Sequence, residues 1–116
     1  MQSEHLFKFQ QMDIYRVAKE LALQVHQAAI GDTELRDQAS RASKSAFLCL
    51  CEGLPNSGAG LRRKYFTEAN NSLHETVAAL DLAAALGALS QERADTMQQL
   101  AVRFRKMLCA LRGSAA

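Results

Sequence analysis

Arg41, Ser45, Glu52 and Glu75 come nearest to a reacting set in this 116-residue chain: two carboxylates that could be brought beside a guanidinium and a hydroxyl. Paired carboxylates divide general-acid and general-base work when their surroundings push their pKa values apart. Here no histidine stands at a supporting spacing, and no second motif outlines a substrate pocket. The favoured reading is structural. Arg41 is expected to pair with Glu75 or Glu52 across a contact between two helices, in a polar cluster of Arg41, Ser45, Glu52, Asn71 and Glu75 that fixes their register.

The soft and metal-ligating residues point the same way. Cys49 and Cys51 lie two apart on a helical pattern, so their side chains diverge by about 200° and cannot share an ion. Neither His26 nor His74 follows a glutamate by three positions, the pattern of a bundle di-metal site. The expectation is no metal, no cofactor and no enzyme activity. Cys49, Cys51 and Cys109 are an odd number, and in a reducing compartment they read as small core residues rather than disulfides.

Positive charge is the stronger functional signal. Arg62-Arg63-Lys64 follows the glycine-rich segment from Gly53 to Gly60, and Arg103, Arg105, Lys106 and Arg112 follow the last acid, Asp95. A glycine-rich loop opening onto a helix can cradle phosphate through free amides. This one lacks the Gly-Lys-Ser/Thr ending and has no strand before it, so it reads as an ordinary connection. Cations at a helix C-terminus suit the helix dipole, which accounts for the second group without a ligand; the first group stands at a helix start, where the dipole disfavours it.

The elements that must position these side chains are helical. Ala, Leu, Gln, Glu, Arg and Lys dominate, Trp is absent and only one Pro occurs, a composition that loses little on entering helices. Residues 1–11 read as an arm that packs through Leu6, Phe7 and Phe9. Ile14, Val17, Ala18, Leu21, Val25 and Ala28 then recur at three- and four-residue steps. That stripe predicts a helix over about 13–30, with Asp13 capping its start and Gly31-Asp32 at its end.

A second helix over about 33–53 carries Leu35, Ala39, Ala42, Ala46, Cys49 and Gly53 on one line. Side chains that small let a neighbour approach toward the short end of the usual 8–10 Å between axes. Phe47, Leu48 and Leu50 crowd its other side and are the expected oligomer contact. A third helix over about 61–86 presents Tyr65, Phe66, Ala69, Leu73, Thr76, Val77, Leu80, Ala83 and Ala84. A fourth over about 91–112, capped by Ser90, repeats Ala94, Met97, Ala101, Phe104, Leu108 and Leu111 close to a heptad seam. Gly113 ends it and 114–116 are expected to fray.

Short connections force antiparallel neighbours, so the fold class is all-α, an antiparallel up-down four-helix bundle forming a single domain over 1–116. One core in a chain this short leaves apolar surface exposed, which favours association with copies of itself. No signal-peptide pattern and no run of about 18 apolar residues is present, so the expected location is cytoplasmic, with no membrane partner.

The motifs also resemble a known family, the four-helix-bundle products of intervening sequences in bacterial 23S ribosomal RNA genes, which also takes in the accessory variability proteins of diversity-generating retroelements. The family's opening pattern falls on Phe9, Met12, Ile14 and Tyr15. Its Leu-x-x-Gln-x-x-Arg-Ala-x-x-Ser run falls on Leu35, Gln38, Arg41, Ala42 and Ser45, and its Glu-Gly pair on Glu52 and Gly53. Without a gap, its later motif falls on Tyr65, Phe66, Ala69, Asn71, Ser72, Leu73 and Glu75. The chain departs from the pattern at Cys49, where the family has Asn, and at Asn71, where it has Gly, which suggests an exchange across one helix contact. It also lacks the basic residues usual after Glu-Gly and has Pro55, Asn56 and Ser57 there.

The resemblance implies a homopentamer. Seven basic side chains at one pole of each copy, Arg62, Arg63, Lys64, Arg103, Arg105, Lys106 and Arg112, would then repeat as a ring. The resulting expectation is a non-catalytic homo-oligomeric scaffold or adaptor that binds RNA or DNA through this pole. The alternative is an accessory module that binds a protein partner and has no nucleic-acid ligand.

Overall fold

The computed structural model describes residues 7–112; Leu6 of the arm, Gly113 and the 114–116 tail lie outside the described residues. After a single 3-10 turn, Lys8–Gln11, the chain forms α1 (Asp13–Gln27), α2 (Thr33–Gly53), α3 (Ala59–Ala85) and α4 (Gln91–Arg112). The described residues contain no strand. Each helix packs on its sequence neighbours and α1 also packs on α4, which closes the ring of an up-down bundle.

The stripe of α1 is buried as its spacing requires, from Ile14 through Val25. Its ends differ from expectation. Met12 holds the N-cap position without a side-chain bond, and the Asp13 carboxylate instead accepts from Arg16 Nη1 at 2.8 Å. The helix also stops at Gln27, because Ala29 adopts φ +53. Ala28 is buried as the last member of the stripe, and the left-handed turn after it brings Ile30 into the core as well; they are 3% and 2% exposed. Burial of Ile30, worth about 1.5–3 kcal/mol, offsets the roughly 1–2 kcal/mol of an alanine in that conformation.

Asp32 caps α2 as expected, its Oδ1 accepting from the Leu35 amide at 2.9 Å. The small-residue line then does its work: Ala39, Ala42, Ala46 and Gly53 are buried against α3, the most extensive helix pair in the molecule. At its end Gly53 meets Phe66, and a Cβ built on Gly53 would stand 2.6 Å from Phe66 Cε1 and 2.8 Å from Cδ1. Only glycine lets the fully buried Phe66 ring lie here.

The far end of α3 closes in a Schellman turn. Gly87 has φ +79, its amide donates to Ala84 O, and the Ala88 amide donates back to Ala83 O. The Gly31 amide donates to Ala88 O at 2.8 Å, tying the α1–α2 and α3–α4 connections together at one pole. Ser90 Oγ accepts from the Arg93 amide to start α4. Ala94, Met97, Ala101, Phe104 and Leu108 of α4 complete the core.

Candidate nucleic-acid interface and the polar seam

The α2–α3 seam gathers some of the expected polar cluster and excludes the rest. Gln38 Nε2 donates to Glu75 Oε2 at 2.7 Å, and Arg41 Nη2 donates to Gln38 Oε1 at 3.3 Å. Arg41 therefore reaches Glu75 through Gln38 rather than by direct ion pairing, because residues three apart on α2 share a face and the shorter amide fills the gap. One turn further along, Ser45 Oγ and Ser72 Oγ stand 2.9 Å apart. Buried Thr76 donates to Ser72 O at 2.9 Å.

Glu52 and Asn71 are exposed and take no part in this seam. The proposed exchange of Asn71 for Cys49 fails on the same ground, since Ser72, not Asn71, faces α2, and Cys49 Sγ lies 4.0 Å from Ser45 Oγ on its own helix. Gln38 and Ser72 are the members that pairing by charge overlooks. Both stand in the sequence motifs, at the positions where small or amide groups span a close helix contact.

Burial pushes the Cys49 thiol up, and pushes Cys51 up to about 11, with the Glu52 carboxylate adding to both. Thiols held protonated are poor nucleophiles and poor ligands. Among the described residues no cluster of His, Cys, Asp and Glu is arranged to hold a metal.

The basic pole is built by the start of α1, the end of α2, the start of α3 and the end of α4. Arg62 does not face solvent as a phosphate ligand would. Its Nη1 donates to Leu54 O at 2.7 Å, Asn56 O at 3.3 Å and Gly53 O at 3.4 Å. Its guanidinium also lies 4.9 Å from the Phe66 ring centroid. A cation at the start of α3 is unfavourable for that helix's own dipole but favourable for the carbonyl end of α2, which lies beside it. Arg62 is thus a cap for the preceding helix. Arg112 is half-buried and its Nε is enclosed with no partner among the described residues.

Arg63, Lys64, Arg103, Arg105 and Lys106 are exposed. With Lys8 and Arg16 they outnumber the acids of this end, Asp13, Glu52 and Glu68. The opposite pole reverses the balance: Asp32, Glu34, Asp37, Asp81, Glu92 and Asp95 stand against Arg36 and Arg93. A formal net charge of +2 conceals two poles of opposite sign.

Of the expected oligomer contact, Leu50 is fully buried in the chain's own core and is unavailable to a partner. It falls on the small-residue face because it stands four residues after Ala46 and three before Gly53, the spacing of one side of a helix. Phe47 is half-buried, its ring 5.3 Å from Tyr15. Leu48 alone points out, 57% exposed.

An up-down four-helix bundle with a polar α2–α3 seam and a basic pole is thus the class of protein defined here. The model of the 23S rRNA-intervening sequence protein family matches residues 10–110, and the chain belongs to that family. A solved structure from Bacteroides thetaiotaomicron, described as a protein with unknown function from the S23 ribosomal protein family, superposes with a TM-score of 0.78 at 13% identity. The alignment covers 86% of this chain and 98% of that one, and at that identity it speaks to the fold alone. No curated protein was found to be similar in sequence.

Proposed function

We propose that this protein is a non-catalytic, homo-oligomeric scaffold that binds RNA or DNA through its basic pole. The observation that carries this reading is the segregation of charge. Arg63 and Lys64 stand exposed at one end of the bundle and Arg103, Arg105 and Lys106 line the half of α4 nearer to it, where Arg105 shares a groove with Asp81 and Arg103 one with Asp95, while Asp32, Glu34, Asp37 and Glu92 lie toward the other end. Such a field attracts a polyanion end-on and gives sequence-independent, salt-sensitive contacts. Arg62 contributes by holding the α2–α3 connection rather than by touching phosphate.

Self-association is supported by apolar side chains left in solvent, Leu48 on α2, Leu82 on α3 and Leu86 just after it. A cyclic arrangement of five copies, the number implied by the family resemblance, would repeat the pole as a ring. The cytoplasm is the compartment in which such a polyanion ligand is met; among the described residues no helix is long and apolar enough to cross a membrane.

Light scattering coupled to size exclusion, at low and moderate salt and with a short structured RNA, tests the reading. A species near five chains that takes up RNA at low salt and releases it at moderate salt is expected, and Leu48→Glu should lower the mass. A homo-oligomer indifferent to RNA would favour the protein-binding module, and a monomer would remove the ring.

A further inference from the structure

An apolar hollow of about 670 Å³ opens at the basic pole, where the segment before α1 passes the α2–α3 connection. Phe7, Phe9, Met12, Leu54 and Pro55 line it, with the Lys8 side chain among them. Phe7 is 71% exposed, more than any other large apolar side chain among the described residues. It is nevertheless held in place. Its ring meets Phe9 edge-on at 6.1 Å, and Phe9 meets Tyr15 at 5.7 Å. The Phe7 amide donates to the Gln10 side chain at 2.9 Å.

An aromatic ring held in water beside a lysine, at the positive end of a bundle, is the arrangement that single-stranded nucleic acid uses, with bases stacking on the ring and phosphates following the charge. We infer that Phe7 is a stacking platform for an unpaired base of single-stranded RNA or DNA, and that the strand's phosphates run from Lys8 onto the exposed cations of the pole. This inference rests on the nucleic-acid reading above and narrows it. Bases inside a duplex are already stacked on each other and cannot enter the hollow, so the platform selects unpaired strands. Charge complementarity decides the occupant: an apolar peptide segment would use the hollow but gain nothing from Lys8 or from the positive balance of this end of the bundle.

The chain contains no Trp, so Phe7→Trp places its one selectively excitable indole on the proposed platform. The full-length protein is titrated at low salt with a 12-nucleotide oligo(A) RNA and with the same strand paired to oligo(U). Phe7→Trp should bind oligo(A) at least as well as the parent, with its fluorescence quenched on stacking. Phe7→Leu, which keeps apolar bulk without a π face, should weaken oligo(A) binding roughly 5- to 150-fold. Duplex binding should be unchanged in both variants. Unaltered oligo(A) binding by Phe7→Leu, with salt-sensitive binding retained, would overturn the platform and leave the basic pole standing. Absence of binding to either form would overturn both. A change of solution mass in Phe7→Leu without a change in oligo(A) affinity would assign the hollow to a second copy of the chain and overturn the inference.

Discussion

Gly53→Ala concentrates the packing argument into one methyl group. The added Cβ would stand 2.6 and 2.8 Å from two atoms of the Phe66 ring and 3.0 Å from Tyr65 Cβ, all well inside contact distance. Phe66 is fully buried and the Arg62 guanidinium lies 4.9 Å from its centroid, so the ring cannot swing aside cheaply. Overpacking of this kind costs about 1–3 kcal/mol. Alanine returns up to about 1 kcal/mol of helix propensity, less at the last residue of α2. The net is a loss of roughly 1–2 kcal/mol, or about 4–10 °C in midpoint for a domain of this size. Thermal unfolding followed by circular dichroism measures it, with Gly60→Ala as the control. A Cβ on Gly60 meets nothing within 4 Å, so that variant should gain up to about 1 kcal/mol. If Gly53→Ala proved as stable as Gly60→Ala, the close approach of α2 and α3 at this point would be refuted.

Arg62→Met should lower stability by about 1–2 kcal/mol, since the carbonyls of residues 53, 54 and 56 lose a charged donor; an unchanged urea midpoint would deny it the capping role. Ala29→Gly should stabilise by about 0.5–1 kcal/mol by relieving the left-handed turn after α1, and a lower melting point would contradict this. Burial holds the Cys51 pKa at about 11 when folded. Below about pH 9 this thiol is neutral in both states, while between roughly 9 and 11 only the unfolded chain ionises, so stability should fall across that window. Cys51→Ser should flatten the fall. At pH 8 its alkylation in the folded protein should be roughly 100-fold slower than that of an unperturbed thiol, and rapid labelling would argue against its burial.

The architecture was readable because the chain's periodicity, turn residues and composition agree with one another. The stripes on α1 and α4 are buried where their three- and four-residue spacing puts them, and Asp32, Gly87 and Ser90 stand at helix ends in their usual roles. Ala29 was hidden because alanine gives no sign of a left-handed turn; burial of Ile30, a tertiary effect, decides where α1 stops. Leu50 belongs to the core side by its spacing, four residues after Ala46 and three before Gly53, and grouping it with its neighbours Phe47 and Leu48 hides this because α2's last turns are apolar on both sides. Arg62 misled for a related reason. Its charge opposes the dipole of the helix that carries it, whereas its partners are the carbonyls at the end of another. In the α2–α3 seam, pairing opposite charges passes over Gln38, which links Arg41 to Glu75, and Ser72, which meets Ser45 across the contact.

The claim that the basic pole binds polyanions is tested most directly by changing its exposed cations and leaving its structural one alone. Affinity for a single-stranded RNA is measured from about 50 to 200 mM salt for the parent and for a variant carrying Arg63→Gln, Lys64→Gln, Arg105→Gln and Lys106→Gln, with Arg62 kept. The account predicts that the parent's log affinity falls linearly with log salt, and that the variant binds more weakly with a shallower slope, smaller by up to about 0.7 for each phosphate contact removed. Equal affinity and equal slope in the two proteins, both folded, would contradict it.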